Sequence, residues 1–327
     1  MKYKIINKYN KLGDLFVMDN SKKLDKLIGE TTTPCQVSSD ADTRSEWLSE
    51  LFGREIIMNN VVNNVNDELF KIQIFSDLHV ELNNTNFLKK IIPKAPYVAL
   101  LGDIGYPNKK GYRNTIEFFS KLYKKVFIIA DNHEYYKQIY NDVNNQILKI
   151  CEQFDNVIFM NRTSYDIDDF KILGCTLWSY IPNENSNIVS KYLNDYNLIH
   201  YLENDKIYKF NVDFQNSLHK TDIEWLISEV NNSDKPLIIL THHAPSFKNT
   251  SSKRYEGLPT NCAFATDLEY LFNDKIKLWG YGHTHYCNKQ NINGTLLVSN
   301  QYGYASACEH INFSYDSAYE LNKKNEK

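Results

Sequence analysis

The stretch KLWGYGHTHYCNK, Lys277–Lys289, places two histidines on either side of one threonine, directly after an apolar run punctuated by two glycines. In extended backbone the side chains at i and i+2 leave the chain on the same side, so His283 and His285 can converge on one small target. Taken alone, His-x-His is also the pattern of an exposed polar turn. Its other reading is a metal site, because neutral imidazole is the commonest metal ligand. What the rest of the chain delivers to the same place decides between them.

Four earlier apolar runs end in a similar way. KIQIFSD leads into Asp77-Leu78-His79, YVALLGD ends in Gly102-Asp103, VFIIAD runs into Asp131-Asn132-His133-Glu134, and PLIILTHH ends in His242-His243. NVIFM and FKILGCTLW read as further strands. Helical periodicity lies between them, in NTIEFFSKLYKK and in YKQIYNDVNNQILKICEQF. TDIEWLISEV and TDLEYLF each carry a Thr-x-x-Glu capping-box spacing, Thr221 with Glu224 and Thr266 with Glu269. NKQNINGTLLVSN reads as a hairpin turning at Asn293-Gly294. Alternating strands and helices predict an α/β protein with helices outside the sheet, and open α/β sheets place their sites at the C-terminal ends of the strands. A single carboxylate at a strand end is commonly a helix cap. Five strand ends with ligand-type side chains are difficult to assign to capping.

The inventory also suits one chemistry. Two carboxylates, an amide oxygen and four imidazoles are enough for two divalent ions sharing one carboxylate. Ions about 3.5–4 Å apart hold a bridging hydroxide and clamp a phosphoryl group during in-line displacement. Two anionic ligands against four positive charges leave such a site electropositive, which attracts phosphate and acidifies bound water.

The ordered motifs Asp-x-His, Gly-Asp, Asn-His-Glu, His and Gly-His-x-His resemble the calcineurin-like metallophosphoesterase superfamily, over about residues 70 to 310. The resemblance implies a sandwich of two mixed β-sheets flanked by helices. It implies one metal held by Asp77, His79, Asp103 and His285, and a second held by Asp103, Asn132, His242 and His283, with Asp103 bridging. His133, not a ligand, would face the substrate as transition-state stabiliser or general acid. Manganese, iron, zinc and nickel are the metals considered. Two departures stand out. Asp131 occupies a position that is usually glycine, where a left-handed backbone would cost an aspartate roughly 1 kcal/mol; this predicts a strained, detuned site. NQYGY, Asn300–Tyr304, falls where similar sequences often carry a proline and an arginine. The arginines that accompany Gly-Asp and Asn-His-Glu in the protein phosphatases of this superfamily are also absent, which disfavours a phosphoprotein substrate.

Composition narrows the partner. The 327 residues carry 37 basic and 40 acidic side chains, a net charge of −3. That is no footprint for nucleic acid or an anionic membrane, so a small phosphodiester or phosphomonoester, such as a nucleotide derivative, is expected. No signal peptide is apparent at the N-terminus and no apolar run approaches the roughly 20 residues of a membrane span, so a cytoplasmic protein is expected. The six scattered cysteines show no Cys-x-x-Cys and read as reduced core residues. Residues 1–68 read as an N-terminal extension with a short helix at TRSEWLSELFGRE, and 69–327 as the phosphoesterase domain. Residues 178–220 are polar and rich in tyrosine, as in a lid or cap inserted between a strand and a helix. Candidate substrate contacts are His243, Tyr180, Tyr196, Tyr201, Lys253 and Arg254. The alternative function is a non-catalytic scaffold that keeps the fold.

Overall fold

The computed structural model of the protein describes residues 69–322; the expected N-terminal extension and its helix lie outside them. The first three apolar runs form β1 (Leu69–Phe75), β2 (Tyr97–Leu101) and β3 (Lys125–Ile129), followed by the short β4 (Val157–Phe159). They lie side by side and parallel. A last strand, here β13 (Ala318–Asn322), returns antiparallel along the free edge of β1. The second sheet is built the same way. Strands β6 (Phe170–Gly174), β9 (Leu237–Leu240), β10 (Ile276–Gly280) and β12 (Thr295–Ser299) are parallel. Antiparallel β5 (Thr163–Ile167) and β11 (Asn288–Ile292) close its two edges. The hairpin between β11 and β12 turns at Asn293 and Gly294, both with positive φ (49° and 85°), as a two-residue hairpin turn of this kind requires.

Strict alternation explains why two sheets stack. Ile72, Ile74, Ala99, Leu101, Phe127 and Ile129 point inward from the first sheet and meet Ile172, Ile238, Leu240, Leu278 and Val298 of the second. The intervening residues Val98, Leu100, Val126 and Ile128 face outward and are covered by α1 (Lys110–Leu122), through Ile116 and Phe119. On the other side Leu237, Ile239, Trp279 and Leu297 are covered by Leu226 and Val230 of the long helix Val212–Asn232. Each strand thus buries both faces, the condition under which parallel pairing is normally found. The sandwich of two mixed sheets flanked by helices is the architecture expected.

Neither capping box forms as read. The helix expected from Thr221 starts at Asn211, whose side chain accepts the Phe214 amide at 2.9 Å. Thr221 sits in its interior and donates its hydroxyl to the Ser217 carbonyl. The buried Val212 and Gln215 extend the packed face upstream, so tertiary contact carries the helix past the local signal. TDLEYLF gives only the single turn Glu269–Leu271, because Thr266 is used elsewhere, accepting the Tyr180 amide at 3.0 Å.

Of the expected lid, residues 212–220 belong to the long helix Val212–Asn232, and residues 178–211 fold between β6 and that helix. They contain two short helices, Ser186–Tyr192 and Asp195–Leu198, and a hairpin of β7 (His200–Glu203) and β8 (Lys206–Lys209). Trp178, Ile181, Val189, Tyr196, Ile199 and Phe210 are buried in the same apolar cluster as the outer face of the first sheet. Cys151 and Cys175 are buried free thiols. Among the described residues no helix is long and apolar enough to cross a membrane.

Candidate metal centre

Parallel strands deliver their C-terminal ends to one rim, and the two sheets meet there. The Asp77 carboxylate at the end of β1 accepts the His283 amide on both oxygens at 3.1 Å, which ties the first sheet to the turn after β10. The Gly282 amide donates to the His242 carbonyl at 2.8 Å. A side chain at Gly282 would collide with Ser76, so the close crossing demands glycine. Glu134 anchors two of the loops. Its carboxylate accepts the amides of Asp103 (3.0 Å), Ile104 (2.7 Å), Gly105 (3.3 Å) and Asp131 (2.8 Å), clamping the Gly-Asp turn to the Asn-His-Glu turn.

Strain is stored here, but not where it was expected. Asp131 has φ −145°, ordinary extended backbone, so the prediction of a strained Asp131 is wrong: an extended residue does not need glycine. Left-handed backbone instead occurs at Asp77, His79, Asp103, His283 and His285, with φ between 44° and 69°. Each costs on the order of 1 kcal/mol or more, offset by the packing and amide hydrogen bonds that hold the rim.

The expected ligands come together in two groups. Asp77, His79, Asp103 and His285 bring one donor atom each to within 4.8 Å of one another, and so do Asp103, His242 and His283. In the first group the remote nitrogen of each imidazole faces a carboxylate. His285 Nδ1 lies 2.5 Å from Glu309 Oε2 and His79 Nδ1 lies 3.3 Å from Glu81 Oε1. Such contacts fix the tautomer and turn Nε2 inward as a ligand atom. The Nε2 atoms of His79 and His285 are 3.0 Å apart. Burial pushes His79 down to about 4, with help from His133. Burial acts the same way on His285, but the Glu309 and Asp77 carboxylates outweigh it and raise the ring to about 10, so an ion binding there must displace a proton.

In the second group the remote atoms are committed to the protein interior. His242 Nδ1 donates to the Leu101 carbonyl, leaving Nε2 with a lone pair. Asn132 uses its amide hydrogens on Asp195 Oδ1 (2.9 Å) and the Tyr136 hydroxyl (3.0 Å). Its Oδ1, His242 Nε2 and Asp131 Oδ2 are buried without a hydrogen-bond partner. Buried polar atoms are almost always satisfied. Orphaned lone pairs on O and N atoms, His242 Nε2 and Asp131 Oδ2 being 3.4 Å apart, fit a divalent cation. Burial drives His242, His243 and His283 toward the neutral form that metal binding requires.

His133 stands beside the first group. Its Nδ1 lies 2.8 Å from Glu81 Oε1 and its Nε2 lies 3.0 Å from the Tyr304 hydroxyl. Glu81, Tyr304, Glu309 and Asp195 went unrecognised in the sequence. Glu81 follows His79 at i+2, the same spacing that drew attention to His283 and His285, and that was the available signal.

The expected substrate contacts are dispersed. His243 is buried, receives the Ser179 amide on Nδ1 at 3.2 Å, and places Nε2 3.2 Å from Asp131 Oδ1. Tyr196 is buried, donating its hydroxyl to Gln215, and Tyr201 stacks on Phe214 with ring centroids 3.9 Å apart. Both act as packing residues. Tyr180 is 47% exposed. Arg254 lies over its neighbour Tyr255, 4.6 Å from the ring centroid, and Lys253 is exposed. Neither forms an ion pair with the cluster among the described residues.

Comparison with known proteins agrees with this geometry. The family model for calcineurin-like phosphoesterases matches residues 70–287, from β1 through the His-x-His turn. An uncharacterized protein of Acanthamoeba polyphaga mimivirus is 38% identical over 262 residues, 74% of this chain and 94% of that protein. The phosphopantetheinyl hydrolase of Mycobacterium tuberculosis superposes with a TM-score of 0.60 over 79% of this chain and 97% of that one, at 14% identity, a likeness of fold. With its strand-end carboxylates and imidazoles gathered on one rim, this chain belongs to the calcineurin-like phosphoesterase family.

Proposed function

We propose that the protein is a dinuclear metal-dependent phosphoesterase that hydrolyses a phosphodiester or phosphomonoester of a small molecule, a nucleotide derivative being the leading class. One observation carries this reading: Asp77, His79, Asp103 and His285 bring donor atoms together, as do Asp103, His242 and His283, while the remote atoms of His79, His285, His242 and Asn132 are tied to carboxylates, a carbonyl and a hydroxyl. Asp77, His79, Asp103 and His285 would hold one ion, and Asp103, Asn132, His242 and His283 the other. Two divalent ions supply Lewis acidity to the phosphoryl oxygens and activate water at neutral pH.

The protein's own groups supply proton handling and orientation. Glu81 holds His133 through Nδ1, which leaves Nε2 as the atom that would deliver a proton to a departing alkoxide. The Tyr304 hydroxyl, in contact with that Nε2, keeps the ring aimed. A net charge of −3 argues against a polyanionic partner. Tyr180 and Arg254 are the side chains available to contact the organic part of a substrate.

The test is hydrolysis of bis(nitrophenyl) phosphate and of monoesters by chelator-stripped protein given Mn²⁺, Zn²⁺, Ni²⁺ or Fe²⁺. Metal-dependent turnover is expected. Two bound ions with no turnover on any ester would instead favour the scaffold reading.

A further inference from the structure

The ligand sets above leave Asp131 without a task, and its surroundings give it one. Its backbone is unstrained, its side chain is fully buried, and Oδ2 has no hydrogen-bond partner. Among the described residues no lysine or arginine pairs with it. Oδ2 lies 3.4 Å from His242 Nε2 and 3.8 Å from His283 Nδ1, while Oδ1 lies 3.2 Å from His243 Nε2, which carries the proton because Nδ1 receives the Ser179 amide. His242 has committed its proton to the Leu101 carbonyl through Nδ1. Its Nε2 therefore presents a lone pair to Oδ2 of Asp131, and the Oδ1 of the adjacent Asn132 is likewise buried without a partner. Lone pairs facing one another in a dry interior repel, and burying an unpaired carboxylate is costly. A proton can relieve one such contact, whereas a metal ion relieves all of them. Donor atoms about 2.0–2.2 Å from a shared ion stand roughly 3–3.6 Å from one another, close to the separations found.

We propose that Asp131 is itself a ligand of the second ion, through Oδ2, so that this half of the centre holds its metal with two carboxylates, an amide oxygen and two imidazoles. This rests on the dinuclear reading above and adds a consequence for metal choice. A five-donor set rich in oxygen suits Mn²⁺ or Fe²⁺ and fits poorly with four-coordinate Zn²⁺. Three carboxylates against the four positive charges of two ions also leave a single net charge. Metal is then held more firmly, and the electrostatic pull on phosphate is weaker than a two-carboxylate centre would give.

The experiment titrates Mn²⁺, and separately Zn²⁺, into chelator-stripped wild type and Asp131→Ala, read by calorimetry and by Mn²⁺ electron paramagnetic resonance. Wild type should bind two Mn²⁺. Asp131→Ala should keep the first and lose at least about tenfold in affinity for the second, with a smaller loss for Zn²⁺. Its metal-free Tm should rise, since an unpaired buried charge is gone, while the gain in Tm on adding Mn²⁺ shrinks. Should Asp131→Ala not fold, Asp131→Asn is read by the same affinity criterion. Two Mn²⁺ bound with unchanged affinity in the variant overturns the role of Asp131 and leaves the dinuclear reading standing. Failure of wild type to bind metal overturns both.

Discussion

The two halves of the candidate metal centre are built from similar residues and finished differently. Around Asp77, His79 and His285 the imidazoles are backed by Glu81 and Glu309, and Asp77 is occupied by the His283 amide. Most donor atoms there have a partner within the protein. Around Asp131, Asn132 and His242 the outer contacts are a backbone carbonyl and an Asp195–Tyr136 pair, and the inward atoms are left unsatisfied. A half whose donor atoms already have partners needs a cation less for its stability. A half with orphaned lone pairs gains stability only when a cation arrives, so metal-linked stabilisation should come mainly from the second half.

Asp103 belongs to both halves, and its loss should have the largest effect. Asp103→Asn is expected to lower metal stoichiometry and to reduce hydrolysis on the order of 10³-fold or more, the several kcal/mol that a Lewis-acid centre provides. Metal analysis and kcat/KM check this. If two ions stay bound and turnover is normal, the halves do not share this carboxylate.

His133 touches the first half through Glu81 and should matter only where a leaving group needs a proton. His133→Ala is expected to keep both ions, lose little on bis(nitrophenyl) phosphate, and lose about 10²–10⁴-fold on an alkyl or nucleoside diester. Comparing kcat/KM on the two substrates decides it. Equal losses would assign the ring to binding or charge stabilisation and leave the proton donor to be found elsewhere.

Glu309 separates the halves directly. Glu309→Gln should weaken the ion held by His285 by roughly 10–100-fold and leave the ion on the other side unchanged in a two-site Mn²⁺ titration. A loss at both sites would show that the halves are coupled through more than Asp103.

The smallest effect lies outside both halves. Tyr196→Phe removes a buried hydroxyl that donates to Gln215, which should cost about 1 kcal/mol, or a Tm decrease of roughly 2–4 °C, with kcat/KM unchanged. A selective rise in KM would return Tyr196 to the substrate contacts.

The architecture could be read in the chain because each core strand carries both an apolar run and a polar terminus. Runs such as YVALL and LIIL have few alternatives to a buried strand, and the hairpin turn at Asn293-Gly294 needs only its two residues. Strands β5 and β13 escaped notice. TSYDI and AYELN are half-exposed edge strands, recruited by pairing with a neighbour and not by their own hydrophobicity. The capping boxes at Thr221 and Thr266 misled for the same reason: a local signal worth about 1 kcal/mol yields to packing of a longer face.

For the site, the sequence alone determined which residues end the strands, and in a parallel sheet that order implies a shared rim. It did not determine direction or protonation, which depend on atoms distant in the chain. Leu101 orients His242 across 141 residues and Glu81 holds His133 across 52. Asp131 shows the difference most clearly. Its identity suggested backbone strain, but only tertiary structure could show an extended residue whose carboxylate faces His242, His243 and His283. Side-chain chemistry is written in the sequence; the company a buried charge keeps is set by which strands the fold brings side by side.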